Sequence, residues 1–366
     1  MITREYGDAR YRVTLTHGSV AEECVGAWAR GLSELRSLEG LALDAGVISR
    51  IFFDGATPRG EVAELAAASG SPMMLIRGDY PAGKHTVGVQ ACTISGTPVR
   101  QVTQDGRVVG CAYADDDAEY CHLTGILPQD LRCSNVRQAE SCFLRMEDAL
   151  RQAGMDFSHV VRTWIYLASL LDWYAEFNTV RTAFFKKRGV FDGLVPASTG
   201  IGAANHAGAA IVTGLLAIRP KHKAVTIQAV PSPLQCPALN YRSSFSRAVE
   251  LGFPDRRHLL ISGTASIAAD GTTLYQGDVD KQISRTMDVV NVILQSRGMR
   301  WEDLTRGIVY FRDGRDAPRF DAYCRKRHLP PLPLIVADHV IVCRDDLLFE
   351  IEVDAVQDRP ASPTAK

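Results

Sequence analysis

The sequence predicts an α+β fold made of three tandem units of the order β-β-α-β-α-β-β, assembled as a pseudo-trimer from one chain. Three observations predict it. Residues 135–167 and 279–311 match at a fixed offset, with Gln138, Gly154, Met155, Arg162 and Tyr166 in register with Gln282, Gly298, Met299, Arg306 and Tyr310. In both stretches a helix-period run gives way to Gly-Met, then to a strand-period run with an arginine and an aromatic. A fainter copy stands upstream, and in every copy a second helix and two closing strands follow, which puts helices on one face of a mixed sheet.

The first unit, 1–94, opens on leading strands reduced to about YRVTL. A helix is expected over 21–46, a strand at VISRIFF, a second helix over 57–69, and closing strands at MMLIRG and HTVGVQACTI. The second unit, 95–222, carries its first helix from Asn135, its strand at RTWIYL and its second helix over LLDWYAEFNTVRTAFFKK. Its closing strands are PASTGIGA and GAAIVTGLLAI. A Pro- and Lys-bearing linker is expected over 223–240. The third unit, 241–357, has a helix with Ile283, Met287, Val290 and Leu294 on one face. Asp278 is placed to cap its start and Gly298 to stop it. APRFDAYCRKRH supplies the second helix, and PLIVADHVIVC and LLFEIEVDAV the last strands. The tail 358–366 is polar and Pro-rich, a segment expected to fray.

Composition narrows the function classes. The 366 residues are 46% hydrophobic and 23% charged, the balance of a globular chain. Forty-one Lys and Arg against 42 Asp and Glu leave a formal charge of -1, which argues against a nucleic-acid partner. No apolar run is long enough for a membrane span, and MITREYGDARYRV has no apolar signal core, so a cytoplasmic setting is expected. Nine cysteines without a CxxC point to a reducing compartment rather than a disulfide framework. Cys121-His122 is the nearest thing to a metal pair and has no second pair, so no metal is expected. No P-loop and no GxGxxG after a strand is present, so no cofactor is implied. Three fused units could close the trimer internally, giving a monomer or a small homo-oligomer.

Strand alternation singles out a candidate acid. In LLFEIEVDAV, Glu350, Glu352 and Asp354 share one face, while Phe349, Ile351, Val353 and Ala355 share the other and should pack on the helices. The equivalent faces of the other copies carry Val212, Gly214 and Leu216, and Gly88, Gln90 and Cys92. The acidic face could be bathed in solvent. If instead the three sheets face one another, a carboxyl there is desolvated and keeps its proton near neutrality, as a general acid requires. Glu350, between Phe349 and Ile351, is the best candidate.

These units resemble the RidA/YjgF family, whose small domains form trimers with sites between subunits, and Glu350 matches that family's carboxylate on the last strand. The imine hydrolases of that family carry an arginine about fifteen residues earlier, and the place around Ile335 has none. The chain is more similar to the chorismatase family, built from fused RidA-like domains. RTWIYL, YAEFNTVR, PASTGIGA, Phe245-Ser246-Arg247-Ala248, LLISGTASI and CRDDLLFEIE resemble that family's motifs in order, over about 130–356. It departs at Ile165, where the family has Asn, at Ala175, where it has Arg, and at Tyr241-Arg242, a compressed Y-G-P-R.

The resemblance implies cleavage of chorismate to pyruvate and a ring product without a cofactor. Glu350 would protonate the enolpyruvyl methylene. Gly263 and Cys343 match the type that forms 3-hydroxybenzoate, whereas the hydrolysing type tends to have Ala at both and yields a dihydroxycyclohexadiene carboxylate. For the anionic, chorismate-like substrate, Arg162 and Arg247 match motif arginines and Arg242 lies beside them, since arginine grips carboxylates bidentately. Tyr166 and Tyr241 could offer hydroxyls, and Thr199 and Gly200 a hydroxyl and a backbone N–H. Other readings remain: an enamine or imine hydrolase or a related enzyme on another enol-ether or enamine substrate, and a non-catalytic ligand-binding protein on the same fold.

Overall fold

The computed structural model describes residues 2–7, 12–21, 46–53, 72–77 and 86–359. Three six-stranded sheets form the frame. The first holds β1 (Ile2–Gly7), β2 (Arg12–Ala21), β3 (Gly46–Phe53), β4 (Met73–Arg77) and β5 (Thr86–Ser95) in the order β1-β2-β5-β3-β4. A two-residue strand of the second unit, Ala204–Asn205, closes its edge against β4. The leading strands are therefore not reduced to YRVTL: β2 pairs with β5 from Arg12 opposite Ser95 to Ala21 opposite Thr86. Pairing with β5 along its whole length, joined by β1 from Arg12 to His17, holds a Gly- and Ser-bearing stretch extended despite its modest strand propensity. The two helices expected in this unit lie outside the described residues, save Ala21 and Gly46, which are strand residues.

The second unit comprises β6 (Arg100–Gln104), β7 (Arg107–Ala114), β8 (Ala118–Ile126), α1 (Asn135–Gln152), β9 (Val160–Leu167), α2 (Leu170–Lys187), β10 (Ala197–Gly202), β11 (Ala204–Asn205) and β12 (Ile211–Pro220). The third repeats it with β13 (Thr226–Val230), β14 (Ala248–Gly252), β15 (Arg256–Ala265), α3 (Val279–Gln295), β16 (Leu304–Phe311), α4 (Ala317–Lys326), β17 (Leu334–Ala337) and β18 (Phe349–Asp358). The sheet orders β6-β7-β8-β12-β9-β10 and β13-β14-β15-β18-β16-β17 correspond strand for strand. Thr226–Val230, expected inside the linker, is instead an edge strand, with its backbone paired to β14. Thr226, Gln228 and Ala229 are exposed, Ile227 is half-buried and Val230 is buried, so this short edge strand is defined mainly by its backbone pairing.

The residues identical between copies do the same structural work twice. Gln138 Nε2 donates to the carbonyls of Leu131 and Cys133 while its Oε1 accepts from Ala210 N–H. Gln282 Nε2 donates to the carbonyls of Tyr275 and Asp346 and its Oε1 accepts from Leu348 N–H. Each fully satisfies a buried amide and pins the loops around a helix start. Ser134 and Asp278 cap those helices. Gly154 and Gly298 take φ of 71° and 65° just past the helix ends, the left-handed turn expected there. Met155 and Met299 then return their N–H to Leu150 and Leu294, both 3.0 Å away.

Helices cover one face of each of the last two sheets. α1 and α2 bring Phe143, Met146, Phe177 and Phe185 onto β12 and β9, and α3 and α4 bring Ile283, Val290, Ile293 and Phe320 onto β15 and β18. Each fully buried Phe contributes about 1.5–3 kcal/mol of transfer free energy. The opposite faces turn inward on one another: Met74 and Ile76 of the first unit, Trp164, Tyr166 and Val212 of the second, and Ile308 and Tyr310 of the third share one cluster. The acidic face of β18 is thus interior, not solvated; Glu350 is 4% and Glu352 0% exposed. No helix among the described residues is long and apolar enough to cross a membrane.

Candidate active site

β10 stitches the second unit to the third. Gly202 and Ile341 exchange backbone hydrogen bonds of 2.7 and 2.8 Å, Ser246 N–H donates to Pro196 O, and Ser198 N–H donates to Ser262 Oγ at 2.9 Å. A Cβ on Gly202 would stand 2.7 Å from Ile341 Cβ, so the glycine is what lets the two backbones approach. The PASTGIGA string is therefore the seam itself. β15 breaks register between Ile261 and Thr264, and beyond the break Ala265 pairs with Glu350. That bulge lifts Gly263 over Glu350: a Cβ there would lie 2.0 Å from its Oε1.

A cavity of about 930 Å³ opens at this seam. Glu350 points into it, and among the described residues its carboxyl has no hydrogen-bond or ion-pair partner. Burial, with help from the neighbouring Glu352, pushes the carboxyl up from 4.5 to about 8, against the pull of Arg162 and Arg247. Glu350 is therefore a neutral acid at pH 7. The native state holds this proton more tightly than the unfolded chain does. Its contribution to stability is complete below about pH 4.5 and is lost as pH rises through about 8. Urea unfolding of Glu350→Gln should lose that part of the decline, and an unchanged pH dependence would count against a protonated native acid.

The rest of the lining is cationic and polar. Arg181 is 2% exposed, donates from Nη2 to Asn178 Oδ1 (2.6 Å) and Ser243 Oγ (3.3 Å), and leaves Nε without a partner. Burial alone pulls its pKa down. Arg247 donates Nε and Nη2 to Cys236 O at 3.0 and 2.9 Å. The Tyr241 ring lies 5.4 Å from the Arg247 guanidinium and 5.5 Å from that of Arg344. Arg344 donates to Gly271 O. Arg242 is exposed at the rim, at φ 64°. None of these four arginines has a carboxylate partner among the described residues, and Glu350 is the sole carboxyl in the lining. Desolvated guanidiniums without counter-ions favour an anionic ligand.

Most of the expected residues converge here: Glu350, Cys343, Gly263, Gly200, Tyr241, Arg242 and Arg247 all line the cavity. Cys343 is a neutral thiol, pushed up to about 12 by burial and by Glu350. Arg162 and Tyr166 do not reach the cavity. Arg162 is wholly buried, with Nη2 3.2 Å from Glu352 Oε2 and 2.9 Å from Thr199 Oγ1. Tyr166 shares a 2.9 Å hydrogen bond with Tyr310, hydroxyl to hydroxyl. Both sit mid-sheet on the inner face, where a carboxylate and a tyrosine of the third unit reach them before any ligand could. Thr199 is 1% exposed, and its hydroxyl accepts from Arg162 and from Gly263 N–H at 3.1 Å, so it holds the seam. Ile165 packs on the helix side, so that departure takes nothing from the cavity, whereas Ala175 does line it.

The site residues missed in the sequence are Tyr174, Asn178, Arg181, Ser243 and Arg344. The signal was there in part: Tyr174, Asn178, Arg181 and Thr182 recur at helical spacing, a polar stripe on a helix that otherwise buries Trp173, Phe177 and Phe185. Among the described residues no group of three or more His, Cys, Asp or Glu could hold a metal.

Residues 120–212 match the family described as Endoribonuclease L-PSP. A chorismatase of Streptomyces hygroscopicus is 29% identical over 272 residues, 68% of this chain and 75% of that protein. A chorismatase of Streptomyces rapamycinicus is 27% identical over 223 residues, 54% of this chain and 64% of that one. A chorismatase crystal structure superimposes with a TM-score of 0.62 at 20% identity, covering 93% of this chain and 99% of the other. With its duplicated units and inward-facing sheets, this chain is similar to proteins described as chorismatases, shares the fold of a chorismatase, and carries tandem RidA/YjgF-like units closed into a pseudo-trimer.

Proposed function

We propose that the chain cleaves the enolpyruvyl ether of chorismate, releasing pyruvate and 3-hydroxybenzoate, with Glu350 as the proton donor. The observation that carries this reading is a neutral carboxyl, raised to about 8, opening into a cavity whose unpaired arginines suit a dicarboxylate. Glu350 gives its proton to the methylene carbon, and the double-bond electrons form the new C–H bond. Positive charge develops at the ether carbon and is shared with the ether oxygen. Attack by the ring hydroxyl, then C–O cleavage and loss of a ring proton that can restore Glu350, yields pyruvate and the aromatic acid, with no water consumed. Attack by water would instead add one water and give the dihydroxycyclohexadiene acid. Gly263 supports the first outcome by letting Glu350 approach, and Cys343 by giving a small, neutral wall beside it. Transfer to carbon is demanding, and an acid with a pKa near the working pH gives the best compromise of occupancy and strength.

The test is incubation with chorismate, with pyruvate followed by a coupled lactate dehydrogenase assay and the ring product identified by chromatography. Pyruvate in equal amount to 3-hydroxybenzoate supports the proposal, and its absence overturns it; turnover of 2-aminoacrylate instead would point to an imine-type hydrolase. Since the active form is protonated, kcat should hold below about pH 8 and fall about tenfold per unit above it. A flat profile to pH 10 would exclude Glu350 as the acid.

A further inference from the structure

Beneath the cavity lies a buried ionic cluster to which both repeats contribute. Glu352 is 0% exposed. Its Oε1 accepts from Arg306 Nη1 at 2.7 Å and from Trp164 Nε1 at 3.0 Å, and its Oε2 from Arg162 Nη2 at 3.2 Å. Arg306 turns its Nε to Asp354 Oδ2 at 2.6 Å and shares Nη1 with Gln90 Oε1 of the first unit. Arg162 and Arg306 occupy equivalent positions in the two copies, opposite Leu216 and Asp354 on β12 and β18. One carboxylate on β18 thus sits between the duplicated arginines, two residues from the acid and on the same face.

Resting on the reading of Glu350 as proton donor, we propose that Arg162, Arg306 and Glu352 are positioning residues, a shared ion cluster that fixes whether the acid holds its proton. The two charges nearest Glu350 in this cluster act in opposite senses: Glu352 raises its carboxyl and Arg162 lowers it, while desolvation is the largest cause of the shift. Arg162 also fixes Thr199, which accepts from the N–H of Gly263, the residue packed over the acid. Strip the charge from Glu352 and two buried guanidiniums remain beneath Glu350, favouring its anion. Strip it from Arg162 and Glu352 is left less compensated, favouring the acid form. Other titratable groups near Glu350 are Arg247 from the segment before β14, Cys343 from the segment before β18, Tyr174 from α2 and Tyr310, its cross-strand neighbour, and Arg181, Lys186, Tyr241, Arg242 and Arg344 line the same cavity. None of these changes in the variants below.

The measurement is infrared titration of the protonated carboxyl stretch of Glu350, assigned by difference against Glu350→Gln, with no substrate present. In Glu352→Gln the midpoint should fall by about one pH unit or more, and in Arg162→Met it should rise by about one unit, within the range neighbouring charges produce. Arg162→Lys should return it toward the wild-type value. A merely structural role would lower thermal stability without moving the two midpoints in opposite directions. Midpoints unmoved in folded variants, or moved the same way by Glu352→Gln and Arg162→Met, overturn the proposal. Should Glu352→Gln fail to fold, Arg162→Met and Arg306→Met decide in its place, both expected to raise the midpoint. Because the readout needs no chorismate, opposed shifts in a protein that releases no pyruvate would sink the substrate reading and leave the cluster's role standing.

Discussion

Glu350→Gln should reduce pyruvate release from chorismate by about a thousandfold, within the range for loss of a positioned general acid. Gln matches Glu in shape, so the cavity and its arginines remain, but an amide N–H is too weak an acid to protonate carbon. Substrate affinity should therefore survive, since the cations at Arg181, Arg247 and Arg344 are untouched. Removing the acid also takes away the group that titrates near pH 8, so residual turnover should be independent of pH across that range. Stopped assays with long incubations would measure both effects. A variant within tenfold of wild type would mean that the proton comes from elsewhere, and Lys186, Cys343, Tyr174 and Tyr241 are the other acidic groups of the lining.

The sequence carried the acid and the arginines unequally, for a physical reason. Glu350 was legible because strand alternation and a local apolar frame, Phe349 and Ile351, are properties of adjacent residues. Repeat identities were legible too, and Gln138 and Gln282 proved to be local clamps that any copy of the unit needs. Arg162 was misjudged because its fate depends on Glu352, 190 positions away. Alternation places Arg162 on the inner face, but only the assembly of three sheets shows that a carboxylate reaches it first. The same holds for Tyr166, matched to its own repeat copy Tyr310 across the seam. Arg181 was passed over because an arginine on a helix is usually solvated; here the segment around Ser243 folds over it and shuts it from water.

Gly263→Ala offers the most direct probe of how the acid and the outcome of the reaction are linked. The new methyl carbon would fall 2.0 Å from Glu350 Oε1, 3.1 Å from its Cδ and 3.2 Å from Thr199 Cγ2. Two of those atoms belong to the end of one flexible side chain that opens into the cavity, so the clash is relieved by swinging the Glu350 carboxyl aside. Global stability should change by no more than about 1–3 kcal/mol, the usual cost of a small overpacking. Activity should change far more, because moving a donor by about 1 Å can cost about a hundredfold. Whatever turnover remains starts from a different acid position, which alters what can reach the cation once it forms. We expect the ring product to shift from 3-hydroxybenzoate toward the water-trapped dihydroxycyclohexadiene acid, read as a product ratio by chromatography. If Gly263→Ala kept both the rate and the ratio, the close contact between this backbone and Glu350 would have no part in the chemistry. The bulge in β15 would then be only a feature of sheet geometry.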